Sequence, residues 1–361
     1  MAREEYQKKE THGADVITGS VALMFQGGIM MKHKKVFIIL TLVVLLIFGI
    51  TACAKKEVIE LLPTDYGITT GDDTIEIDLS LEMVPLTASP AMFDIPMPSA
   101  PGTLTKSNTK AIIDYSNTKD GYVMIKHVIP TTKELRVIIT GPSSTQYQYT
   151  LKKNATYEVY PLSDGNGKYS IGVYEQVEGN KYATALTATI DVTLSNEFAP
   201  FLRPNQYVNY TDSSTVVAKA KELIKDAETL TDKITAIYTF VISNLTYDRE
   251  LAATVKSGYL PDVDAILAKG KGICFDYAAV MASMLRSQEI PTRLVVGYAG
   301  TAYHAWIDVY SETQGWVTAA IYFDGQGWKL MDPTFASTGN QSASIMQYIG
   351  NGSNYSARFV Y

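Results

Sequence analysis

Three residues that can carry out covalent chemistry follow one another towards the C-terminal end of the sequence. Cys274 lies in Gly272-Ile273-Cys274-Phe275-Asp276, His304 follows thirty residues later (304 − 274), and Asp332 a further twenty-eight later (332 − 304). A cysteine, a histidine and an aspartate in this order are the parts of a thiol nucleophile, a general base and the group that orients the base. The sequence therefore predicts a thiol-dependent site formed by these three residues.

The segment that must position the thiol has the pattern of a helix. From Phe275 to Gln288 the apolar residues Ala278, Met281 and Leu285 recur at spacings of three and four, which predicts one apolar face. Gly272, just before this run, permits a sharp bend and the close approach of another segment. The unpaired N–H groups and the dipole of a helix N-terminus favour the thiolate form of a cysteine placed there. The cysteine is therefore expected at the start of a helix that helps to activate it.

The histidine and the aspartate lie on segments with strand character. His304 begins the run 304–310 and Asp332 follows the run 328–331, so adjacent strands could bring the two side chains together. Further strands are predicted at 293–298, 316–322 and 357–361. Helical periodicity precedes the cysteine at 213–227, 231–245 and 262–268. Helices followed by a sheet predict an α+β domain, which we place at residues 205–361.

Residues 74–200 have the pattern of a separate, all-β domain. Residues 74–83 alternate strictly between apolar and polar side chains, as a half-buried strand does. Six further strands are predicted at 122–129, 134–140, 145–151, 156–160, 169–177 and 185–194. So many short strands without an intervening helix predict an antiparallel sandwich of the immunoglobulin-like kind. His127 is expected to be structural, and the domain is expected to be a spacer or a binding module.

The N-terminal end carries the features of an export signal. The basic cluster 32–35 precedes an uncharged run of fifteen residues, 36–50, which is shorter than the roughly 20 apolar residues of a membrane-spanning helix. It ends in Ile50-Thr51-Ala52-Cys53, which resembles the lipobox of bacterial lipoproteins. The resemblance implies a signal peptide over 31–52 and a lipid on Cys53, with a plain membrane anchor as the alternative. Residues 1–30 are interpreted as a spurious extension or a leader, and residues 53–73 as a tether.

The sequence contains two cysteines, and the predicted export signal determines what is expected of each. The lipobox resemblance implies an exported protein, anchored through its N-terminal lipid on the extracytoplasmic face of the cell membrane. Exported proteins often pair their cysteines as disulfides. A lipidated Cys53 instead leaves Cys274 as a free thiol, and a buried, inert Cys274 is the alternative to a functional one.

Length and composition are those of a globular protein with about two domains. The chain has 361 residues, of which 46% are hydrophobic and 19% charged, and this composition excludes an intrinsically disordered chain. The net charge of −6, without a basic tract beyond the leader, gives no reason to expect a nucleic-acid partner.

Four ordered motifs between Val216 and Thr334 resemble the transglutaminase-like superfamily, whose fold is related to that of papain. The motifs are 270–278 around the cysteine, Ile290-Pro291-Thr292-Arg293-Leu294-Val295-Val296-Gly297-Tyr298, His304-Ala305-Trp306, and Trp328-Lys329-Leu330-Met331-Asp332-Pro333-Thr334. The resemblance covers about a third of the chain. It implies an α+β domain of the papain-like type for residues 205–361.

The family resemblance also implies a role for each residue of the site. Cys274 would attack an amide carbonyl to form a thioester, His304 would act as general base and acid, and Asp332 would hold the imidazole. A lysine amine would then give an isopeptide cross-link, and water would give hydrolysis. The Cys274 backbone N–H is the expected donor to the oxyanion, with the Tyr247 hydroxyl as a further candidate; a core tyrosine is the alternative for Tyr247.

The resemblance implies a protein or peptide substrate, including substrates associated with the cell wall, and no cofactor. The acidic calcium-binding regions of animal transglutaminases are not evident, so no metal is expected. A cysteine peptidase of the cell wall or outside the cell is one alternative, although such enzymes usually show Asp-Cys-Ser-Gly where this chain has Gly-Ile-Cys-Phe-Asp. A binding lipoprotein with a vestigial triad is the other.

Overall fold

The computed structural model describes residues 58–60, 96–311, 315–318, 321–323, 328–330 and 355–361. The predictions for the leader, the signal peptide, the strand at 74–83, Cys53 and Asp332 lie outside these residues. Residues 56–361 form one compact unit. Within the described part of the chain, no helix is both long and apolar enough to cross a membrane.

The N-terminal part of this unit consists of two antiparallel sheets. Its strands are β1 (Val58–Glu60), β2 (Thr105–Ser107), β3 (Ala111–Asp114), β4 (Tyr122–His127), β5 (Leu135–Thr140), β6 (Gln146–Thr150), β7 (Glu158–Pro161), β8 (Gly167–Glu178) and β9 (Lys181–Val192). One sheet has the order β2-β3-β4-β7 and the other the order β1-β9-β8-β5-β6. Apolar side chains from both sheets belong to one buried cluster.

The six strands predicted between residues 122 and 194 are confirmed, with shifted ends. The longest pair, β8 and β9, follows from the alternation of apolar and polar residues over 186–192 and from the two-residue turn at Gly179, whose φ of 53° suits a tight hairpin. β2 and β3 were not predicted because they are only three and four residues long. Three residues of the predicted tether, Val58–Glu60, form an edge strand that pairs with β9.

Helices dominate the chain after β9. They are α1 (Thr215–Leu223), α2 (Leu230–Asn244), α3 (Arg249–Thr254), α4 (Val263–Lys269) and α5 (Cys274–Arg286). The short strands β10 (Thr246–Tyr247) and β11 (Lys271–Gly272) pair in parallel between them. Four helices were predicted. The fifth, α3, is marked in the sequence by Asp248, whose carboxylate accepts the Leu251 N–H at 3.0 Å as an N-cap.

An antiparallel sheet follows the helices. Its strands are β12 (Thr292–Ala299), β13 (Ala302–Ser311), β14 (Gly315–Thr318) and β17 (Tyr355–Val360), in the order β14-β13-β12-β17. The single strand predicted over 316–322 is instead divided, because β14 pairs with β13 whereas β15 (Ile321–Phe323) pairs with β16 (Trp328–Leu330). The α+β arrangement predicted for this region is confirmed.

Helix α5 is buried along its whole length rather than on one face. All thirteen of its residues are buried, and it packs against α1, α2 and α4 as well as against β12 and β13. A helix enclosed on every side cannot turn about its axis without losing packing on several neighbours at once. The rest of the domain therefore fixes the position of its first residue, Cys274.

Aromatic side chains join the two parts of the compact unit. Tyr149 of β6 stacks on Tyr207 at a ring-centroid distance of 5.8 Å, and Tyr207 contacts Phe275 of α5 at 5.4 Å. Tyr207 also packs against Tyr361 at 4.5 Å. Tyr149 of the N-terminal sheets is thus connected through Tyr207 to the residue that follows Cys274.

Arg286, the last residue of α5, is a fully buried cation that donates to three backbone carbonyls. Its guanidinium bonds to the carbonyl oxygens of Thr292 at 2.7 Å, Arg203 at 2.8 Å and Tyr361 at 2.6 Å. Burial lowers the pKa of Arg286 to about 10, so the side chain remains charged at neutral pH. One side chain therefore links α5, the segment between the two parts, and the residue that follows the last strand.

We expect Arg286→Met to destabilise the protein strongly. Methionine fills a similar volume but removes the Arg286 donor from three carbonyl oxygens. The Tyr361 oxygen keeps the Leu294 N–H at 2.9 Å, whereas a buried carbonyl oxygen left without a donor costs about 1–3 kcal/mol. Relief of the buried charge offsets part of this loss, so we expect a net fall of about 3 kcal/mol in the free energy of unfolding. Urea unfolding followed by circular dichroism measures it. Arg249→Met, at an exposed arginine, is the matched control; equal stability of the two variants would contradict the role given to Arg286.

Candidate active site

The thiol is held at the end of a short parallel ladder. Gly270 ends α4 with a φ of 65°, and the next two residues form β11, in which Lys271 pairs with Thr246 and Gly272 with Tyr247. Ile273 follows, and α5 begins at Cys274. The Cys274 side chain forms no disulfide bond and is only 4% exposed. The prediction that Cys274 begins a helix is confirmed.

Gly272 is required for close packing at this point. A Cβ atom added to Gly272 would lie 2.6 Å from the Cβ atom of Asp276 and 2.8 Å from its Oδ2. Contacts this short do not occur in folded proteins, so any larger residue would displace the first turn of α5. Gly272 therefore permits the close approach that the sequence predicted, here between the strand β11 and α5.

Asp276 fixes the first turn of α5 from inside the protein. Its Oδ2 accepts the Ile273 N–H at 2.9 Å, its own N–H donates to the Ile273 carbonyl at 2.9 Å, and its Oδ1 accepts the Tyr259 hydroxyl at 2.8 Å. Burial raises the pKa of Asp276 above its ordinary value, although these hydrogen bonds act in the opposite direction. This role of Asp276 was not predicted, although an aspartate at the third helical position is a sequence signal for it.

His304 lies on β13, directly opposite Gly297 of β12. It is 6% exposed, and its ring is stacked on that of Trp306 at 6.4 Å and 19°. Trp306 in turn donates its indole N–H to Asp308 at 3.2 Å. A Cβ atom on Gly297 would lie 2.9 Å from the Trp306 ring and 2.1 Å from the Ser356 carbonyl oxygen. Gly297 thus makes room for the indole that packs against the histidine.

Cys274 and His304 line the same cavity, which has a volume of about 30 Å³. The structure therefore brings together two residues that are thirty positions apart in the sequence. The other lining residues are Val255, Tyr259, Ile273, Phe275, Val296, Tyr303 and Ala305. None of these seven was predicted as a site residue. Ile273 and Phe275 flank the cysteine, whereas the other five come from the segment after α3 and from β12 and β13, whose distance from the thiol depends on the tertiary structure.

Tyr247 is close enough to the thiol for the two groups to interact electrostatically. Its backbone is paired with Gly272, two residues before Cys274. Burial is the main cause that raises the pKa of Tyr247 well above its ordinary value, and the negative charge of a Cys274 thiolate adds to this effect. The phenol therefore keeps its proton at neutral pH and can act as a hydrogen-bond donor near the thiol.

The remaining predicted residues are placed as follows. Asp332 and Cys53 lie outside the described residues. His127 has its Nδ1 2.6 Å from the Ile129 carbonyl oxygen, a contact within the β part. Among the described residues, no group of three or more histidine, cysteine or acidic side chains could hold a metal ion.

Comparison with known proteins identifies the class of this domain. A family model described as the transglutaminase-like superfamily matches residues 217–333, which include the cysteine, the histidine and the aspartate. The chain therefore contains a transglutaminase-like domain. This agrees with the resemblance seen in the four sequence motifs.

One curated relative matches part of the chain. The uncharacterized protein YebA of Bacillus subtilis (strain 168) is 28% identical over 186 residues, which cover 45% of this chain and 25% of that protein. The chain thus matches only a quarter of the length of this relative.

Two solved structures show limited similarity to this chain. The periplasmic domain of TgpA from Pseudomonas aeruginosa has 17% identity and a TM-score of 0.29, covering 71% of this chain and 80% of its own. Red sea bream transglutaminase has 14% identity and a TM-score of 0.26, covering 63% and 53%. TM-scores this low do not establish a common fold for the whole chains.

Proposed function

We propose that this protein is a cysteine enzyme that acts on amides of proteins or peptides through a thioester acyl-enzyme. The observation that carries the proposal is that Cys274, at the first residue of a buried helix, lines the same cavity as His304. Both residues fall within the segment matched by the transglutaminase-like family model. A thiol and an imidazole at one cavity are the two groups that acyl transfer requires.

The proposed reaction has two steps. In the first, His304 takes the proton of Cys274, the thiolate attacks the amide carbonyl carbon, and a C–S bond forms. His304 then gives the proton to the departing nitrogen as the C–N bond breaks, which releases ammonia or an amine and leaves a thioester. In the second step a lysine amine or water attacks the thioester carbonyl carbon, the C–S bond breaks, and the proton of the nucleophile passes through His304 to the Cys274 sulfur. The amine yields an isopeptide cross-link and water yields a carboxylic acid. Asp332 is proposed to hold the His304 imidazole, as the order of the three residues suggests.

The negative oxygen of the tetrahedral intermediate needs hydrogen-bond donors. The Cys274 N–H belongs to the first residue of α5, a position whose N–H has no partner within the helix. We propose the Tyr247 hydroxyl as the second donor. The raised pKa of Tyr247 supports this role, because a phenol that resists ionisation near a thiolate remains a donor throughout the reaction.

The rest of the chain is proposed to place this domain outside the cell. In this proposal a lipid on Cys53 anchors the protein to the extracytoplasmic face of the membrane. Residues 74–200 are proposed to form an immunoglobulin-like sandwich, in keeping with the two antiparallel sheets that share one apolar cluster. Protein or peptide substrates, including those associated with the cell wall, would be met there.

We expect the full chain to incorporate a dansylated amine into casein, or to hydrolyse casein amides, and Cys274→Ala to lose this activity by about 10³-fold or more. Gel fluorescence detects incorporation, and mass spectrometry separates isopeptide bonds from deamidation and from peptide cleavage. Cys274→Ser is the matched control for the shape of the side chain. If wild type and Cys274→Ser are equally inactive towards amides and equally unreactive with iodoacetamide, the enzyme assignment fails and a binding role replaces it.

We expect Tyr247→Phe to lower kcat by about 10²-fold with little change in KM, because loss of one oxyanion donor acts on the transition state alone. The ring and its packing are retained, so a purely structural tyrosine would tolerate the change. Tyr277→Phe, which removes a hydroxyl that donates to the Leu245 carbonyl at 2.8 Å, is the control and should affect stability more than kcat. An unchanged kcat in Tyr247→Phe would assign this residue to the core.

We expect the full chain to take up radiolabelled palmitate in a bacterial host, and Cys53→Ser to lose the label completely. Cys274→Ala is the control and should be labelled like wild type, since its thiol is not the proposed lipid site. Membrane association without a label in the wild-type protein would replace the lipoprotein assignment with a plain membrane anchor.

A further inference from the structure

The walls of the cavity next to the thiol are almost entirely apolar. Apart from Cys274 and His304, the described lining residues are aliphatic or aromatic, and none of them carries a formal charge. Val255 and Tyr259 come from the segment after α3, and Val296 and Tyr303 from β12 and β13. A group that enters next to the thiol therefore leaves water for an apolar surface.

The polar atom of Tyr259 does not alter this character. Its hydroxyl donates to Oδ1 of the buried Asp276 at 2.8 Å, so its hydrogen is already committed. Burial, together with the charge of Asp276, raises the pKa of Tyr259 above its ordinary value, so no phenolate forms at neutral pH. The residue thus contributes a neutral ring to the cavity.

Apolar surface continues next to two of the lining residues. Tyr298, 41% exposed, is the cross-strand partner of Tyr303, and their rings meet edge to face at 5.4 Å. Leu260, 36% exposed, directly follows Tyr259. These are two of the five large apolar side chains that are exposed in the described part of the chain. The exposed Lys256 is next to Val255 but does not line the cavity.

We propose that this cavity selects an uncharged acyl donor: an amide whose neighbouring residues are apolar, in preference to an acidic peptide. The inference rests on the proposed function. A carboxylate brought against these walls loses its hydration. Among the described lining residues only His304 can carry a positive charge, and the proposed mechanism pairs that imidazolium with the Cys274 thiolate. A leucine or phenylalanine beside the reacting amide would instead bury apolar area against Tyr298 and Leu260.

The preference of the cavity for uncharged groups can be measured from the alkylation rate of Cys274, without enzymatic turnover of an amide. N-Phenylmaleimide and N-(4-carboxyphenyl)maleimide carry the same electrophile and ring, and differ only in a carboxylate at the far end of the ring. In both, the thiolate adds to the carbon–carbon double bond and the neighbouring carbon takes a proton. For each thiol we compare the alkylation rate with N-phenylmaleimide to that with N-(4-carboxyphenyl)maleimide. We expect this ratio to be about tenfold larger for Cys274 in the full chain than for N-acetylcysteine, because the cavity desolvates the carboxylate.

Two lysine variants sharpen the test. Val255→Lys places a cation on the cavity wall and should lower the rate ratio by about fivefold, since the reagent's carboxylate then has a partner. Thr254→Lys adds the same charge one residue earlier, at an exposed position that does not line the cavity, and should leave the ratio within about twofold of wild type because solvent screens it. A wild-type ratio equal to that of N-acetylcysteine, equal effects of the two variants, or no reaction with either maleimide would overturn the proposal.

Donor peptides distinguish this proposal from the proposed function. A glutamine peptide flanked by leucines should be turned over about tenfold faster, in kcat/KM, than one flanked by glutamates, for the same reason. Equal turnover of the two peptides would overturn the selectivity and leave the enzyme assignment intact. Turnover of neither, together with the expected maleimide ratio, would overturn the enzyme assignment and leave the charge selectivity of the cavity standing.

Discussion

The burial of helix α5 is the constraint on which the rest of this structure depends. An isolated helix of thirteen residues is marginal in water, so its position comes from the surfaces that enclose it. Three helices and two strands provide these surfaces, and all thirteen side chains are buried among them. Cys274 gains a defined place because it is the first residue of a helix that cannot shift. Gly272 and Asp276 then fix the first turn, one by leaving space and the other by hydrogen bonding.

The N-terminal sheets take part in this enclosure. Tyr149 of β6, Tyr207 of the connecting segment and Phe275 of α5 form a continuous aromatic contact. Arg286 holds the other end of the same helix to the connecting segment and to the final residue. Through Tyr207, the sheets therefore form part of the packing behind α5.

The site combines a neutral cavity with ionisable groups placed just outside it. Asp276 is buried with two donors on its carboxyl group, and Asp248 is paired with Lys269 and Lys271 at 2.9 and 3.2 Å. A hydrogen bond from Leu251, reinforced by these lysines, holds the pKa of Asp248 well below its usual range. The negative charge of Asp248, next to β11, is thus neutralised by the two lysines. A thiol and an imidazole in apolar surroundings interact more strongly with each other than they would in water.

The sequence by itself determined the chemistry-bearing residues, the helix that begins at Cys274, the strand that carries His304 and the order of helices before sheet. These are local properties, since periodicity, capping and turn residues act over a few positions. Only the tertiary structure decided that α5 is enclosed on every side, that Val255 and Tyr303 line the cavity, and that Gly297 makes room for Trp306 behind the histidine. It also divided one predicted strand into β14 and β15, which pair with different partners. Each of these features is a contact between segments distant along the chain, which local sequence patterns do not specify.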